Sequence, residues 1–312
     1  MTQIICGVDV SGETLDARIG HDGRPEHFAR TVDGIAALAA FCRQHGVELM
    51  VMEATGGYEK LPFALLWEAG LPCAIVNPRA VRDFAKAMGQ LEKTDRLDAG
   101  IIAWYAEVKG IVAQAPASPA QQQLQALVTR LRQLTAAHTA QKNQRRLVGE
   151  PAVLALFDEL IVVLRRQMRQ IERVIAGLLA SDPLWQALDQ AFREIKGVAD
   201  RSVARLMAEL PEIGTLSNKA VAKLVGVAPI ANDTGKRKGR RPVRGGRAPT
   251  RALLFTIAEI VRRHVPDFAD FHQKLSQAGK AKKVIRVALA RKLLVRLNAK
   301  ARDVRQQLAL AA

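Results

Sequence analysis

Residues 4–10 read Ile-Ile-Cys-Gly-Val-Asp-Val, a short apolar run that predicts a buried β-strand. A Ser11–Gly12 turn follows, and residues 15–19 predict a second strand that returns beside the first. The one charge within the run is Asp9, and burying a carboxylate is costly unless it is paired or bound to a metal ion. The run therefore indicates both a sheet and a place for chemistry.

Outward from this strand, the first 110 residues alternate strand patterns with helix patterns. Three strands, then helix, strand, helix, strand and helix, is the order of an α/β ribonuclease-H-like fold, and the alternation implies a partly parallel sheet. The expected strands are 4–10, 15–19, 26–31, 48–53 and 72–76, and the expected helices are 34–45 with Asp33 as N-cap, 58–69, one from Pro78 and one over 94–109.

The remaining chain predicts mostly α structure. Residues 113–119 have the composition of a linker. An apolar seam then steps by four and three residues, which predicts a long helical hairpin or coiled coil between residues 120 and 180. The seam could pack within the chain or against another protomer. Its members are Phe157, Ile161, Leu164, Met168, Ile171, Ile175 and Leu178.

Three regions are expected from these patterns. They are a catalytic domain over residues 1–112, a linker and helical coiled-coil region over residues 113–190, and a basic, mostly α C-terminal domain over residues 191–312. In the last of these, Lys196-Gly197-Val198-Ala199 followed by a helix resembles a helix-hairpin-helix element. Such a turn can direct backbone amides at a DNA phosphate.

The charge of the chain is large and unevenly distributed. The net charge is +17 and the pI is about 10.4, which favours a polyanionic partner. Residues 1–110 hold 15 acidic and 11 basic side chains, whereas the remaining residues hold 15 and 36. This asymmetry indicates one part that performs chemistry and another that binds phosphates, rather than a uniformly basic surface.

The cysteines and the hydrophobic runs indicate the compartment. Cys6, Cys42 and Cys73 are widely spaced and lack a C-x-x-C pair, so we predict reduced core residues in a cytoplasmic protein, not a disulfide framework or a zinc site. Near the beginning of the chain we see no signal-peptide pattern, and no apolar run is long enough to span a membrane.

Four carboxylates stand out by position. Asp9 lies inside an apolar strand, Glu53 closes the strand 48–53, and Asp95 and Asp98 are three residues apart on one helix face. In this fold class they can converge into an all-oxygen site for Mg²⁺, and two such ions could act on a phosphodiester. Each residue also has a structural alternative, such as a turn cap, a solvated strand end or an acid favoured by the helix dipole.

Three segments carrying these acids resemble a known family. GVDVSGETLD (7–16), MEATGGY (52–58) and KTDRLDA (93–99) are similar to the motifs of the DEDD transposases of the insertion-sequence 110 group, especially its 1111 subgroup. The resemblance implies a RuvC-like N-terminal domain. It further implies that Asp9, Glu53, Asp95 and Asp98 form a metal-binding catalytic tetrad that holds Mg²⁺, with two ions per site.

A basic segment lies in the second half of the chain, and half of its residues 236–251 are Lys or Arg. Its glycines would let the backbone approach a phosphate chain, and such contacts bind nucleic acid without reading sequence. A solvated charged loop is the alternative. The candidate nucleic-acid-binding residues are Lys236, Arg237, Lys238, Arg240, Arg241, Arg244, Arg247 and Arg251.

The same stretch is similar to the C-terminal transposase domain of that family. There, a serine before the basic segment is the proposed nucleophile that becomes joined to DNA. The matching position in this chain is Thr234. A threonine hydroxyl can act as a nucleophile when activated, although its β-branching crowds the attack.

The resemblance implies a transposase or site-specific recombinase that cleaves and rejoins DNA. It also implies a structured guide RNA and a homo-oligomer, a dimer or tetramer, in which the nucleophile and the tetrad come from different protomers. Two alternatives stay open: a hydrolytic, Holliday-junction-resolvase-like nuclease that uses water as nucleophile, and a catalytically inactive nucleic-acid-binding copy.

Overall fold

The computed structural model describes residues 3–90, 95–234, 237–239 and 241–311, with the backbone alone at 95–97, 233, 237–238 and 311. The chain divides into two compact units, Met1–Ala117 and Ser118–Ala312. The predicted N-terminal mixed sheet and the mostly helical remainder are confirmed.

The first unit contains a five-stranded sheet in the order β3-β2-β1-β4-β5. Its strands are β1 (Ile5–Val10), β2 (Thr14–Ile19), β3 (Pro25–Ala29), β4 (Leu49–Glu53) and β5 (Cys73–Val76). Strands β1, β2 and β3 are antiparallel neighbours, whereas β4 and β5 run parallel to β1. The apolar run at residues 5–10 is thus the central strand, because it has a partner on each side.

Helices cover both faces of this sheet. They are α1 (Val32–Gln44), α2 (Lys60–Glu68), α3 (Pro78–Ala87) and α4 (Asp95–Lys109). One core joins the sheet to α1 and α2, and a second core joins it to α3 and α4. The expected N-cap of α1, Asp33, is wrong: the hydroxyl of Thr31 accepts a hydrogen bond from the Gly34 amide at 3.2 Å, and Asp33 lies within the first turn.

Helix α4 lies against β1 at a glycine. A Cβ atom on Gly7 would lie 2.0 Å from the carbonyl oxygen of Ala99 and 2.7 Å from the amide nitrogen of Ala103. Both atoms are backbone, so only a residue without a side chain permits this approach. Gly7 therefore sets the distance between the central strand and the helix that carries Asp98.

The second unit is almost entirely helical. Its helices are α5 (Pro119–Arg145), α6 (Pro151–Ser181), α7 (Pro183–Arg193), α8 (Asp200–Glu209), α9 (Asn218–Val225), α10 (Ala248–His264), α11 (Pro266–Gln277) and α12 (Lys282–Ala311). A hairpin of two short strands, β6 (Asp233–Thr234) and β7 (Arg237–Lys238), lies between α9 and α10. The long helices α5 and α6 contact each other.

Most of the apolar seam of α6 faces the core of its own unit. Leu164, Met168 and Ile175 are buried in one cluster with Leu124 and Leu131 of α5. Packing within the chain therefore accounts for these seam positions.

The three cysteines are buried in the first unit. Burial and the proximity of Cys42 raise the pKa of Cys73 to about 12, so its thiol stays protonated and unreactive at neutral pH. Across the described helices, none combines the length and hydrophobicity that a bilayer crossing requires.

Candidate active site

Asp9 and Glu53 occupy adjacent positions on one face of the sheet. Strands β1 and β4 are parallel and pair Val8 with Met52, so Asp9 and Glu53 are the next residues along the two strands. Val8 and Met52 belong to the α1 core, and alternation turns their successors to the α4 face. Neighbouring strands lie about 4.8 Å apart. Two carboxylates therefore lie side by side at the carboxyl-terminal edge of the sheet.

Helix α4 begins toward that same edge. Gln114, shortly after the helix, donates its backbone amide to the carbonyl of Cys73 at 2.8 Å, which places the carboxyl end of α4 at the beginning of β5. Its other end therefore points toward the carboxyl-terminal edge, where Asp9 lies. Asp98 is half-buried on the first turns of α4, and the backbone of Asp95 forms the first residue of the helix.

The described side chains do not form a complete metal-binding cluster. Among them, no three His, Cys, Asp or Glu side chains are grouped closely enough to hold a metal ion. The side chain of Asp95 lies outside the described residues. The donor set itself, carboxylate oxygens on two strand ends and one helix, has the chemistry that hard divalent cations prefer.

Asp16 is a further carboxylate beside Asp9, and sequence reasoning missed it. The antiparallel register of β1 and β2 pairs Asp9 directly with Asp16, and that of β2 and β3 pairs Asp16 with His27. The imidazole Nδ1 of His27 lies 2.9 Å from a carboxylate oxygen of Asp16. Like charges opposite each other destabilise a sheet, and the hydrogen bond from His27 gives Asp16 a partner on its other side. The hairpin register was the signal that could have found Asp16.

The turns after β1 and β4 are held by other side chains. The Ser11 hydroxyl accepts from the Thr14 amide at 2.9 Å, so Asp9 is not needed as the cap of that turn. After β4, the buried carboxylate of Glu59 accepts from the amides of Thr55 and Gly57 at 3.0 and 2.8 Å. Glu59 was also missed, because its place six residues after the strand gave no pattern. It fixes the turn that follows Glu53.

Thr234 is exposed on the two-stranded hairpin of the second unit. It pairs with Arg237 in the antiparallel register, with two residues between the strands. Lys236 and Arg240 lie outside the described residues, as do the side chains of Arg237 and Lys238. The residue predicted as nucleophile is thus accessible, and it lies shortly before the basic segment in the chain.

Two arginines of the basic segment hold the loop to its own unit. Arg247 donates to a carboxylate oxygen of Glu212 at 2.7 Å and to the Glu209 carbonyl at 2.9 Å. Arg251 donates to the carbonyl of Gly245 at 2.5 Å. Both guanidinium groups therefore stabilise the loop through internal hydrogen bonds, which the charge pattern alone did not reveal. Arg241 and Arg244 are exposed.

The Arg247–Glu212 pair predicts a pH-dependent anchor for this loop. Burial alone would raise the pKa of the Glu212 carboxyl, but the hydrogen bonds and charge of Arg247 outweigh it and lower that pKa below its ordinary 4.5. A lowered folded-state pKa means that the stabilisation is present above pH 4.5 and is lost as the pH falls through the lowered value.

We expect Glu212→Gln to lower the free energy of unfolding of the second unit by about 1 kcal/mol at pH 7, a modest value because both side chains are about a third exposed. Urea unfolding followed through Trp185 measures this. The difference from wild type should shrink on acidification below pH 4.5. Equal stability at pH 7 would show that the pair does not hold the loop.

The predicted helix-hairpin-helix turn connects α7 and α8. Gly197 has a φ of +102°, and a Cβ there would lie 3.1 Å from the backbone of Val261 on α10. The glycine is therefore required for packing against α10. Contact of this turn with a DNA phosphate stays a prediction.

Comparison with known proteins places the chain among enzymes of DNA rearrangement. Residues 6–148 match a DEDD-type family described as a transposase, and residues 189–273 match the "Transposase IS116/IS110/IS902 family". Pilin gene-inverting proteins of Moraxella bovis and Moraxella lacunata are each 26% identical over 313 residues, which is 94% of this chain and 94% of the relative. Thermus thermophilus RuvC bound to a Holliday junction aligns over 36% of this chain and 100% of its own, with a TM-score of 0.27 and 16% identity.

These matches define the protein as a DNA transposase or recombinase. The chain belongs to the IS110 family of transposases, as its motifs predicted, since the two family matches together span most of its length.

Proposed function

We propose that the first unit is a ribonuclease-H-like catalytic domain that cleaves DNA strands with Asp9, Glu53, Asp95 and Asp98. The observation that carries this is the side-by-side placement of Asp9 and Glu53 on the α4 face, at the edge toward which α4 begins. The sheet supports the same fold, because β2 alone runs antiparallel to the central strand while β3, β4 and β5 run parallel to it.

These four residues would hold divalent cations, for which we propose Mg²⁺, with two ions per site. When bound, the ions supply charge neutralisation at a phosphodiester and activation of the attacking oxygen. Asp9 and Glu53 are fixed by the sheet, so they contribute prepositioned oxygens. Asp98 adds a third carboxylate from a helix that Gly7 holds against the same strand.

The second unit would bind nucleic acid and supply the nucleophile. In the proposed step the Thr234 oxygen forms a bond to phosphorus, the bond from phosphorus to the leaving deoxyribose oxygen breaks, and the threonine proton passes to a base or to water. Exposure of Thr234 beside Arg237 supports this role. Arg241 and Arg244 are the described cations of the basic segment that we expect to contact phosphates.

Partners beyond DNA are also proposed. A guide RNA would select the DNA sequence by base pairing. The excess of basic residues after residue 110 agrees with a second unit that binds the phosphates of both RNA and DNA. A homo-oligomer would bring Thr234 of one protomer to the carboxylates of another. The alternative mechanism is hydrolysis, in which water replaces Thr234 as the nucleophile. The same carboxylates at the sheet edge would hold the cations in that mechanism too.

The experiment that separates the two mechanisms is a search for protein covalently joined to DNA. Purified protein is incubated with labelled element-end DNA, its co-purified RNA and Mg²⁺, and then separated on a denaturing gel. We expect a labelled band at the size of the protein with wild type and a stronger band with Thr234→Ser, because serine lacks the crowding methyl group.

The matched control is Thr234→Val, which keeps the shape and removes the hydroxyl. It should lose the covalent band by at least about a hundredfold. Cleavage without any covalent band, at equal rates in all three proteins, would establish water as the nucleophile. DNA binding without cleavage in any condition would indicate an inactive copy.

A further inference from the structure

A cation–aromatic pair, in which Tyr58 is exposed and Arg30 is half-buried, lies at the rim of the candidate active site. Tyr58 is in the turn after β4, five residues beyond Glu53, and its side chain is 51% exposed. The guanidinium carbon of Arg30 lies 5.0 Å from the centre of the Tyr58 ring. The Nε of Arg30 donates to the carbonyl of Gly12, three residues beyond Asp9, at 2.7 Å. The pair therefore connects the two turns that follow the strands carrying the carboxylates.

Internal contacts hold Tyr58 and Arg30 in position, yet they leave an aromatic face and hydrogen-bond donors for a ligand. The buried Glu59 accepts two amides of the turn that carries Tyr58, so the ring has a defined position. Within the described part of the chain, the contacts of the Arg30 guanidinium are with the Gly12 carbonyl and the Tyr58 ring, and none is with a carboxylate. The hydrogen bond to Gly12 uses Nε, which leaves the two terminal nitrogens of Arg30 as donors for a ligand.

This combination differs from an ordinary solvated surface residue. Single exposed apolar groups are common on proteins, but here an aromatic face, a cation without an acidic partner and a strand edge with carboxylates occur together. The other tyrosine of the chain, Tyr105, packs edge-on against Phe84 at a centroid distance of 5.6 Å. An acidic edge would repel a DNA strand unless a nearby cation compensated, and Arg30 is placed to do so.

We propose that Tyr58 and Arg30 receive one unpaired nucleotide of the DNA strand next to the phosphate that is cut. The ring of Tyr58 stacks on the base, and the guanidinium of Arg30 binds the adjoining phosphate. Stacking tolerates any base, so the pair positions the strand without selecting its sequence. This inference rests on the proposed catalytic role of the first unit, because that role brings DNA to this edge.

Photocrosslinking tests the proposal at residue level. The full-length protein is mixed in EDTA with a single-stranded DNA oligonucleotide containing 5-iododeoxyuridine, irradiated and digested, and the crosslinked residue is identified by mass spectrometry. We expect a crosslink at Tyr58 that persists in Tyr58→Phe and falls at least about tenfold in Tyr58→Leu, since leucine lacks the aromatic face.

The cation is tested with a matched pair of variants. Arg30→Ala should reduce the crosslink at Tyr58 several-fold and lower the salt slope of binding by about 0.7. The control is Arg24→Ala, which removes the same charge from the turn after β2. That turn lies at the opposite edge of the sheet, because the Gly20 amide donates to the carbonyl of Ile5, the first residue of β1. Arg24→Ala should therefore change neither the crosslink nor the salt slope. Each variant must unfold at the same temperature as wild type for the comparison to be valid. If Arg30→Ala unfolds, Arg30→Lys takes its place.

Three results would overturn the proposal. They are crosslinks elsewhere in the first unit with none at Tyr58, an equal loss in Arg24→Ala and Arg30→Ala, or a crosslink at Tyr58 with RNA of the same sequence but not with DNA. Because the assay contains no divalent cation and measures no cleavage, these results are independent of whether the four carboxylates bind metal. Failure of the catalytic proposal would appear instead as cleavage that survives loss of Glu53.

Discussion

Glu53→Gln is expected to lose DNA strand cleavage by at least about a thousandfold while the first unit stays folded. Glutamine keeps the size and one oxygen of the side chain but removes the charge that would hold a cation against the phosphate. Because Glu53 is only half-buried and glutamine keeps the shape of the side chain, the first unit should stay folded at the assay temperature. Single-turnover cleavage of element-end DNA in Mg²⁺ and thermal unfolding together measure both effects.

The chain offers a matched control on the same strand segment. Glu48 precedes β4 and is exposed at the opposite edge of the sheet, so Glu48→Gln makes the same chemical change away from the candidate site. It should cleave as wild type does. A Glu53→Gln protein that cleaves normally, or that unfolds before the assay temperature, would assign Glu53 a structural role.

Gly7→Ala is the second change with a large expected effect. The added methyl would meet two backbone atoms of α4, at 2.0 Å from the Ala99 oxygen and 2.7 Å from the Ala103 nitrogen. Neither atom can rotate away, so the helix must move off the strand. Overpacking of this kind costs about 3 kcal/mol. We expect a loss of stability of that size and a loss of cleavage, because Asp98 moves with the helix.

In a protein with Trp67 and Trp185 replaced by Phe, the fluorescence of Trp104 on α4 reports this displacement, since its ring centroid lies 4.4 Å from that of His21 in the turn after β2. Gly12→Ala is the stability control: a methyl there would find only the Tyr58 ring, at 4.0 Å, an ordinary contact. If Gly7→Ala unfolds at the same urea concentration as wild type, then α4 is not positioned by close contact with β1.

The sequence was informative where a pattern had a single structural solution. The apolar run at residues 4–10 predicted a buried strand, and β1 covers residues 5–10 of it. Its parallel pairing with β4 joins strands that are not consecutive in the chain, so only the expected fold class implied that pairing. The helix boundaries were less certain, because Thr31 and Asp33 are both acceptable caps and only the backbone path decides between them.

Interactions between distant residues could not be predicted. The charge pattern could not reveal the internal acceptors of Arg247 and Arg251, which are Glu212 and the Gly245 carbonyl, and contact of either arginine with phosphate stays a prediction. Asp16 was overlooked because its importance depends on a hairpin register that pairs it with Asp9. Such pairings depend on tertiary geometry that single-chain periodicity does not contain.

Iron-directed cleavage of the protein backbone tests whether Asp9, Glu53 and the beginning of α4 meet around a common divalent cation, as we propose. Iron(II), which accepts the same carboxylate ligands, generates hydroxyl radicals on addition of ascorbate and peroxide and cuts the nearest backbone. With wild type we predict cuts near residues 9, 53 and 95–98, all three lost in Asp9→Asn. Cuts confined to other parts of the chain, or an unchanged pattern in Asp9→Asn, would contradict a shared site.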